Sequence, residues 1–231
     1  MRPELRLVGN GKQPLVVIDD FLGDLGPVLT AARALAPYPQ DLNSYYPGVR
    51  REIVPEDGPA NDYVIDVMAK VGRFLGGAYD IDSYRLLRAS FSIVTNRPDQ
   101  LQPMQRAPHF DSSDTDYVAM IHYLSVPPDT GTAFFRQRST GIECVDDRNM
   151  DRFVTTARAE SARLVPDDGY VQGSNHSFEE IARVEGADDR LVFYRGGLLH
   201  SGIIPPDMLL DPDPARGRLT ANFFLMLDRG A

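Results

Sequence analysis

Hydrophobic and polar positions along this chain fall into two regimes. The first is one apolar run followed by two amphipathic stretches. Residues 14–22, PLVVIDDFL, are short and rich in β-branched side chains, which predicts a strand. Leu25, Val28, Leu29, Ala32 and Leu35 then recur at helical spacing, with Asp24 placed to cap, Pro27 in the first turn and Pro37 as a stop. Residues 37–59, rich in Pro, Asn, Ser and Gly, read as loop. Val64, Val67, Met68, Val71, Phe74 and Leu75 share one face of a second helix, which Gly76-Gly77 should end.

After residue 80 the pattern shortens to strands: RLLRASFSIVT, YVAMIHYLSV, TGTAFFRQ, RLVFY and RLTANFFLML, separated by Pro- and Gly-rich turns. Residues 174–184, SNHSFEEIARV, predict a short helix capped by Ser174 or Asn175. Residues 142–165 mix helical and loop character. Helices first and closely spaced strands later predict an α+β chain with a mainly β core. The core is a sandwich or barrel, with N-terminal helices buttressing one sheet.

Composition narrows this. At 231 residues, 42% hydrophobic and 25% charged, the chain reads as one globular domain able to bury its own core. With 24 basic against 33 acidic residues the net charge is −9, which repels phosphate backbones and argues against a nucleic-acid partner. Cys144 is the single cysteine, so neither a disulfide framework nor a cysteine zinc cluster is available, and a reducing compartment suits it. The start, Met-Arg-Pro-Glu, leads into no apolar leader-like stretch, and nothing approaches the length of a membrane span. A soluble, cytoplasmic protein without a membrane partner is expected.

Candidate chemistry centres on the four histidines. His109 and Asp111 form H-x-D, and residues two apart on an extended chain point the same way, so both can face one ion. The polar stretch HFDSSDTD also reads as a plain surface loop. His200 follows the strand RLVFY and the turn RGGLL. In the final strand Arg218, Thr220, Asn222 and Phe224 alternate onto one face. An arginine opening an inward face calls for an anion. Two histidines and a carboxylate make a facial triad suited to non-haem Fe(II), with positions left open for a chelating 2-oxo acid and dioxygen. Arg218 is then the planar donor for the far carboxylate of 2-oxoglutarate.

With these residues in view, the chain resembles the Fe(II)/2-oxoglutarate-dependent oxygenases of double-stranded β-helix (jelly-roll, cupin-like) fold. Within them it is nearest to the prolyl-hydroxylase-like branch and looks like a bacterial subgroup of unassigned function. The resemblance covers most of residues 14–40 and 84–228. PHFD matches the H-x-D element, AMIHYLS the strand whose 2-oxoglutarate-binding tyrosine falls on Tyr123, and TGTAFFR the GG-x-x-x-F strand. RLVFYRGGLLHSG leads to the distal histidine, His200, and RLTANFFL carries the 2-oxoglutarate arginine, Arg218. The resemblance implies that His109, Asp111 and His200 ligate iron. Tyr123, Arg218, Thr220 and Asn222 would border the cosubstrate. Dioxygen is consumed and 2-oxoglutarate goes to succinate and carbon dioxide, with hydroxylation the default outcome because Asp111 occupies the position a halide would need. Small molecules, amino acids and peptides are the expected substrates. Residues 1–80 become N-terminal helical support and 84–228 the core of a single oxygenase domain. A long spacing between the histidines implies an insertion around 136–180. The alternative from another class is a non-catalytic β-helix module that binds a metal or small molecule.

Other candidates have plainer readings. His122 adjoins Tyr123 on one strand and so faces the opposite way, as a satisfied histidine between layers. His176 reads as exposed. Arg216 competes with Arg218 for the anchoring role but falls in the Pro-rich loop. Asp114 and Asp116 read as a solvated acidic loop, and Arg97, Arg136 and Arg138 as solvated surface.

Overall fold

The computed structural model describes residues 1–40, 46–162 and 169–230. Among these described residues, ten strands and three α-helices run in the order β1 (Arg2–Val8), β2 (Gln13–Asp19), α1 (Gly26–Ala34), β3 (Gly48–Glu52), α2 (Pro59–Tyr79), β4 (Ser83–Val94), β5 (Tyr117–Ser125), β6 (Gly131–Gln137), α3 (Met150–Ser161), β7 (Phe178–Glu185), β8 (Arg190–Arg195), β9 (His200–Ile203) and β10 (Leu219–Asp228). The fold is mainly β and jelly-roll-like. A seven-stranded sheet, β1-β2-β8-β5-β10-β4-β3, faces a three-stranded one, β7-β6-β9. The pairings between these strands are antiparallel.

Strand alternation divides the side chains between layers. Val16, Ile18, Phe91, Ile93, Phe193 and Phe223 lie on the outer face of the large sheet. There they join one apolar cluster with Val67, Val71 and Leu75 of α2 and Val28 and Ala32 of α1. Each such aliphatic side chain contributes roughly 1.5–3 kcal/mol on full burial, so the stripe read from the sequence is what seats α2. On the inner face, Leu15, Val17, Tyr123 and Val192 meet Phe134 and Val184 of the small sheet and fill one end of the sandwich. Phe153 and Ala157 of α3 pack with Ala133, Phe135 and Leu199 in a further cluster.

Several elements differ from expectation. The sequence predicts a helix over 174–184, but Phe178–Glu185 is strand β7, paired with β6. The Asn175 carboxamide oxygen accepts from the Ser177 and Phe178 N–H groups and makes a turn rather than a helix cap. Glu180 and Arg183, three apart in this strand, form an ion pair at 2.8 Å. The loop expected over 37–59 contains β3, with Gly48 tight against the Ile93 carbonyl, where a Cβ would stand at 2.1 Å. Helix α2 does not stop at Gly76-Gly77. It runs to Tyr79 and ends where Asp80 turns left-handed, its N–H reaching the Gly76 carbonyl. Strand β1 lies outside every predicted element; its side chains are exposed except at Arg6 and Val8.

Candidate metal and cosubstrate site

Backbone pairing brings two distant segments together. His109 N–H donates to the His200 carbonyl at 2.9 Å, and His200 N–H returns to the His109 carbonyl at 2.8 Å. Asp111 N–H donates to Gly196 O at 2.7 Å. The metal-liganding atoms of His109, Asp111 and His200 consequently lie within 4.8 Å of one another. The two imidazole centroids are 4.4 Å apart, and His200 Nε2 stands 3.5 Å from Asp111 Oδ2.

The tautomer of His200 follows from its neighbour. Its Nδ1 is 2.8 Å from the Leu198 carbonyl oxygen. A carbonyl only accepts, so Nδ1 carries the hydrogen and Nε2 keeps its lone pair. An imidazole held this way by a backbone carbonyl is oriented to ligate a metal. Both rings are held neutral: burial lowers the His200 pKa to about 4, and at His109, whose side chain is exposed, desolvation within the cavity and then the neighbouring His200 lower it to about 4. Burial pushes the Asp111 carboxyl above its usual value, against the pull of His109, Arg50 and Arg88. The donor set is two neutral imidazoles and one carboxylate converging from one side, which fits a divalent transition metal in a facial arrangement.

His109, Asp111 and His200 line a cavity of about 200 Å³ between the sheets. Arg218, Thr220, Asn222 and Phe224 line it too, so the alternation of the last strand is as expected. Arg218 immediately precedes β10 and is 5% exposed. One terminal nitrogen donates to Gly131 O at 3.4 Å, while its buried Nε has no hydrogen-bond partner among the described residues. The guanidinium lies 5.6 Å from the Tyr123 ring. Tyr123 is fully buried beneath the cavity, and its hydroxyl is 2.7 Å from Oγ1 of Thr132, which does line it. Asn222 donates to Thr220 Oγ1 at 3.3 Å.

The competing residues fall elsewhere. Arg216 pairs with Asp211 at 3.1 Å and is 63% exposed. His122 faces the helices, between the Tyr63 hydroxyl and Asp189. Asp116 pairs with Arg229, Arg97 with Asp99, and His176 is exposed. Arg136 is not plain solvated surface, because it bridges Glu143 and Glu179. Sequence reading misses Arg50 and Tyr46 of the cavity wall. Arg50 donates to Ser92 at 3.2 Å and stacks over Tyr46. Both lie in the stretch read as loop, where no periodic signal marks them.

A family model described as "Family of unknown function (DUF6445)" matches residues 1–225. The chain belongs to the DUF6445 family. No curated protein matches it. Among solved structures, this DUF6445 chain is similar to the non-haem α-ketoglutarate-dependent epimerase SnoN from nogalamycin biosynthesis, at 14% identity and TM-score 0.54, over 93% of this chain and 78% of that one. It is similar to HygX from Streptomyces hygroscopicus with nickel and 2-oxoglutarate bound, at 14% and 0.53, over 93% and 83%. An oxidoreductase of the 2OG-Fe(II) oxygenase family from Burkholderia pseudomallei gives 12% and 0.51, over 94% and 86%. At these identities the likeness is one of fold.

Proposed function

We propose that this DUF6445 chain is an Fe(II)/2-oxoglutarate-dependent dioxygenase with a double-stranded β-helix core. In this reading it hydroxylates a small molecule, amino acid or peptidyl side chain and releases succinate and carbon dioxide. The observation that carries the reading is the pairing of two features in one cavity. His200 Nε2 and Asp111 Oδ2, both lone-pair bearers, face each other at 3.5 Å beside His109, an arrangement a divalent cation satisfies. Across the same cavity a buried arginine, Arg218, has an Nε without a hydrogen-bond partner among the described residues.

Iron, with 2-oxoglutarate and dioxygen bound, supplies the oxidising chemistry. The chain's own residues do the rest. His109, Asp111 and His200 hold the metal, and the Leu198 carbonyl fixes the His200 ring. Arg218 receives the far carboxylate of 2-oxoglutarate with its planar fork. Tyr123 supports that guanidinium from below and aims Thr132 at the same end of the cavity. Thr220 and Asn222 offer hydrogen bonds along the wall. The binding of nickel and 2-oxoglutarate by HygX, on a similar fold, supports this assignment.

Anaerobic addition of Fe(II) and then 2-oxoglutarate is expected to raise a visible charge-transfer band, and admitting air to yield succinate. Absence of both a 2-oxoglutarate-dependent band and succinate above the iron-only control would overturn the reading.

A further inference from the structure

The strand at one end of the large sheet has one edge without a partner strand among the described residues. β1 is the terminal strand of the seven and is bonded only to β2 among the described strands, in an unbroken register from Arg2↔Asp19 to Val8↔Gln13. It carries no bulge, and a regular seven-residue edge of this kind is a template for another strand. Pro3, which lacks an N–H, is tolerated at such an edge. On the face shared with Val16 and Ile18, Leu5 and Leu7 are 54% and 61% exposed. On the opposite face Glu4 and Arg6, in contact at 2.6 Å, are both solvent-accessible.

The order of these residues is self-complementary. In an antiparallel pair with its two-fold axis at Leu5, Leu5 faces Leu5 of the other copy and Pro3 faces Leu7. Glu4 faces Arg6, and Arg6 faces Glu4. One face of the seam is then apolar and the other carries two opposite-charge cross-strand pairs, the combination that stabilises a sheet. The neighbouring two-fold registers fail. Centring on Glu4 opposes Glu4 with Glu4 and Arg2 with Arg6, and centring on Arg6 opposes Arg6 with Arg6. The charge pattern therefore selects one register and one isologous contact.

We propose that β1 is the contact through which two copies of this chain associate, joining their large sheets into one continuous antiparallel sheet about Leu5. The seam is narrow, so the dimer is concentration-dependent.

The test is sedimentation velocity on the full chain from low to high concentration. The wild type is expected to shift from monomer to dimer. Glu4→Arg and Arg6→Glu each turn two attractive pairs into two repulsive ones, so each alone should raise the dimer dissociation constant roughly tenfold or more. Mixed in equal amounts, the two variants become complementary. One copy then presents arginine at both charged positions of the seam and the other presents glutamate at both, so a heterodimer should re-form. That recovery also shows that both variants are folded. A wild-type chain that stays monomeric throughout overturns the proposal, as does a dimer indifferent to Glu4→Arg or a mixture that fails to recover.

Discussion

His109 and His200 exchange both backbone hydrogen bonds across one bridge, at 2.9 and 2.8 Å. Their rings are brought to 4.4 Å by main chain rather than by contact between the rings themselves. Deleting either imidazole therefore leaves the frame standing. His109→Ala, Asp111→Ala and His200→Ala are each expected to abolish iron binding and iron-dependent succinate formation, because a facial set cut to two donors loses both affinity and geometry. Melting curves of the metal-free variants should stay close to wild type. Iron titration and calorimetry check the two halves of the expectation separately.

Arg218 and Arg216 offer a direct contrast. A carboxylate bound at Arg218 lies in a buried environment, and removing its partner costs about 3–5 kcal/mol, or about two to three and a half decades in affinity. Arg218→Ala should thus raise the 2-oxoglutarate requirement about 100-fold or more with iron binding nearly unchanged. Arg218→Lys should recover only part, since the planar fork is lost. Arg216 is 63% exposed and paired with Asp211, an arrangement worth at most about 1 kcal/mol. Arg216→Ala should leave 2-oxoglutarate binding intact, and titrating the cosubstrate into all three variants decides it.

What the sequence shows, and what it hides, follows from periodicity. The site is legible because its residues sit where alternation is strong. Arg218, Thr220, Asn222 and Phe224 line one cavity as a period of two requires. The H-x-D pair and His200 are recognisable as types. The bridge that unites them is not legible, since pairing between residues so far apart leaves no local trace. β7 reads as helix because Ser174 and Asn175 ahead of it look like a cap, whereas Asn175 turns the chain into a strand with a register shift opposite at Phe134/Phe135. Arg50 is lost with its strand: β3 is short and only half-buried, and Pro and Gly around it give the stronger signal.

His122 predicts a pH dependence of stability. Its Nε2 is 3.1 Å from Asp189 and its Nδ1 2.8 Å from the Tyr63 hydroxyl, so the neutral ring donates to the carboxylate and accepts from tyrosine. Burial lowers the His122 pKa, against the pull of Asp189. Burial also pushes the Asp189 carboxyl up, but bonds from His122 and the Leu22 and Gly23 N–H groups outweigh this and leave it below its ordinary value. In both cases the unfolded chain binds the proton more readily. Stability is then full above the unfolded histidine pKa of about 6.5 and declines as pH falls below it, with a further loss as Asp189 protonates. His122→Phe leaves the Tyr63 hydroxyl and one side of Asp189 unpartnered, costing about 2–3 kcal/mol at neutral pH, and should reduce the slope between mildly acid and neutral pH to the part that His109 and His200 contribute. Urea denaturation of both proteins across that range measures it.

Gly131 links the strand frame to Arg218. A Cβ at this position would stand 2.3 Å from the Val184 carbonyl oxygen and 3.2 Å from Glu185 Cα, all backbone that cannot rotate aside. Gly131 also supplies the carbonyl that accepts from Arg218. Gly131→Ala must therefore part β6 from β7 at their Gly131↔Glu185 pair and shift the acceptor holding the guanidinium. The expected cost is about 1–3 kcal/mol of stability, together with a weakened 2-oxoglutarate affinity, since a displaced Arg218 no longer meets the carboxylate squarely. Gly76, inside α2, is the control, because a Cβ there would meet nothing within 4 Å. Gly76→Ala should raise stability by up to about 1 kcal/mol through helix propensity alone and leave cosubstrate binding untouched. Thermal denaturation paired with 2-oxoglutarate titration separates the outcomes, and a Gly131→Ala protein with wild-type affinity would show that the β6 carbonyl does not position Arg218.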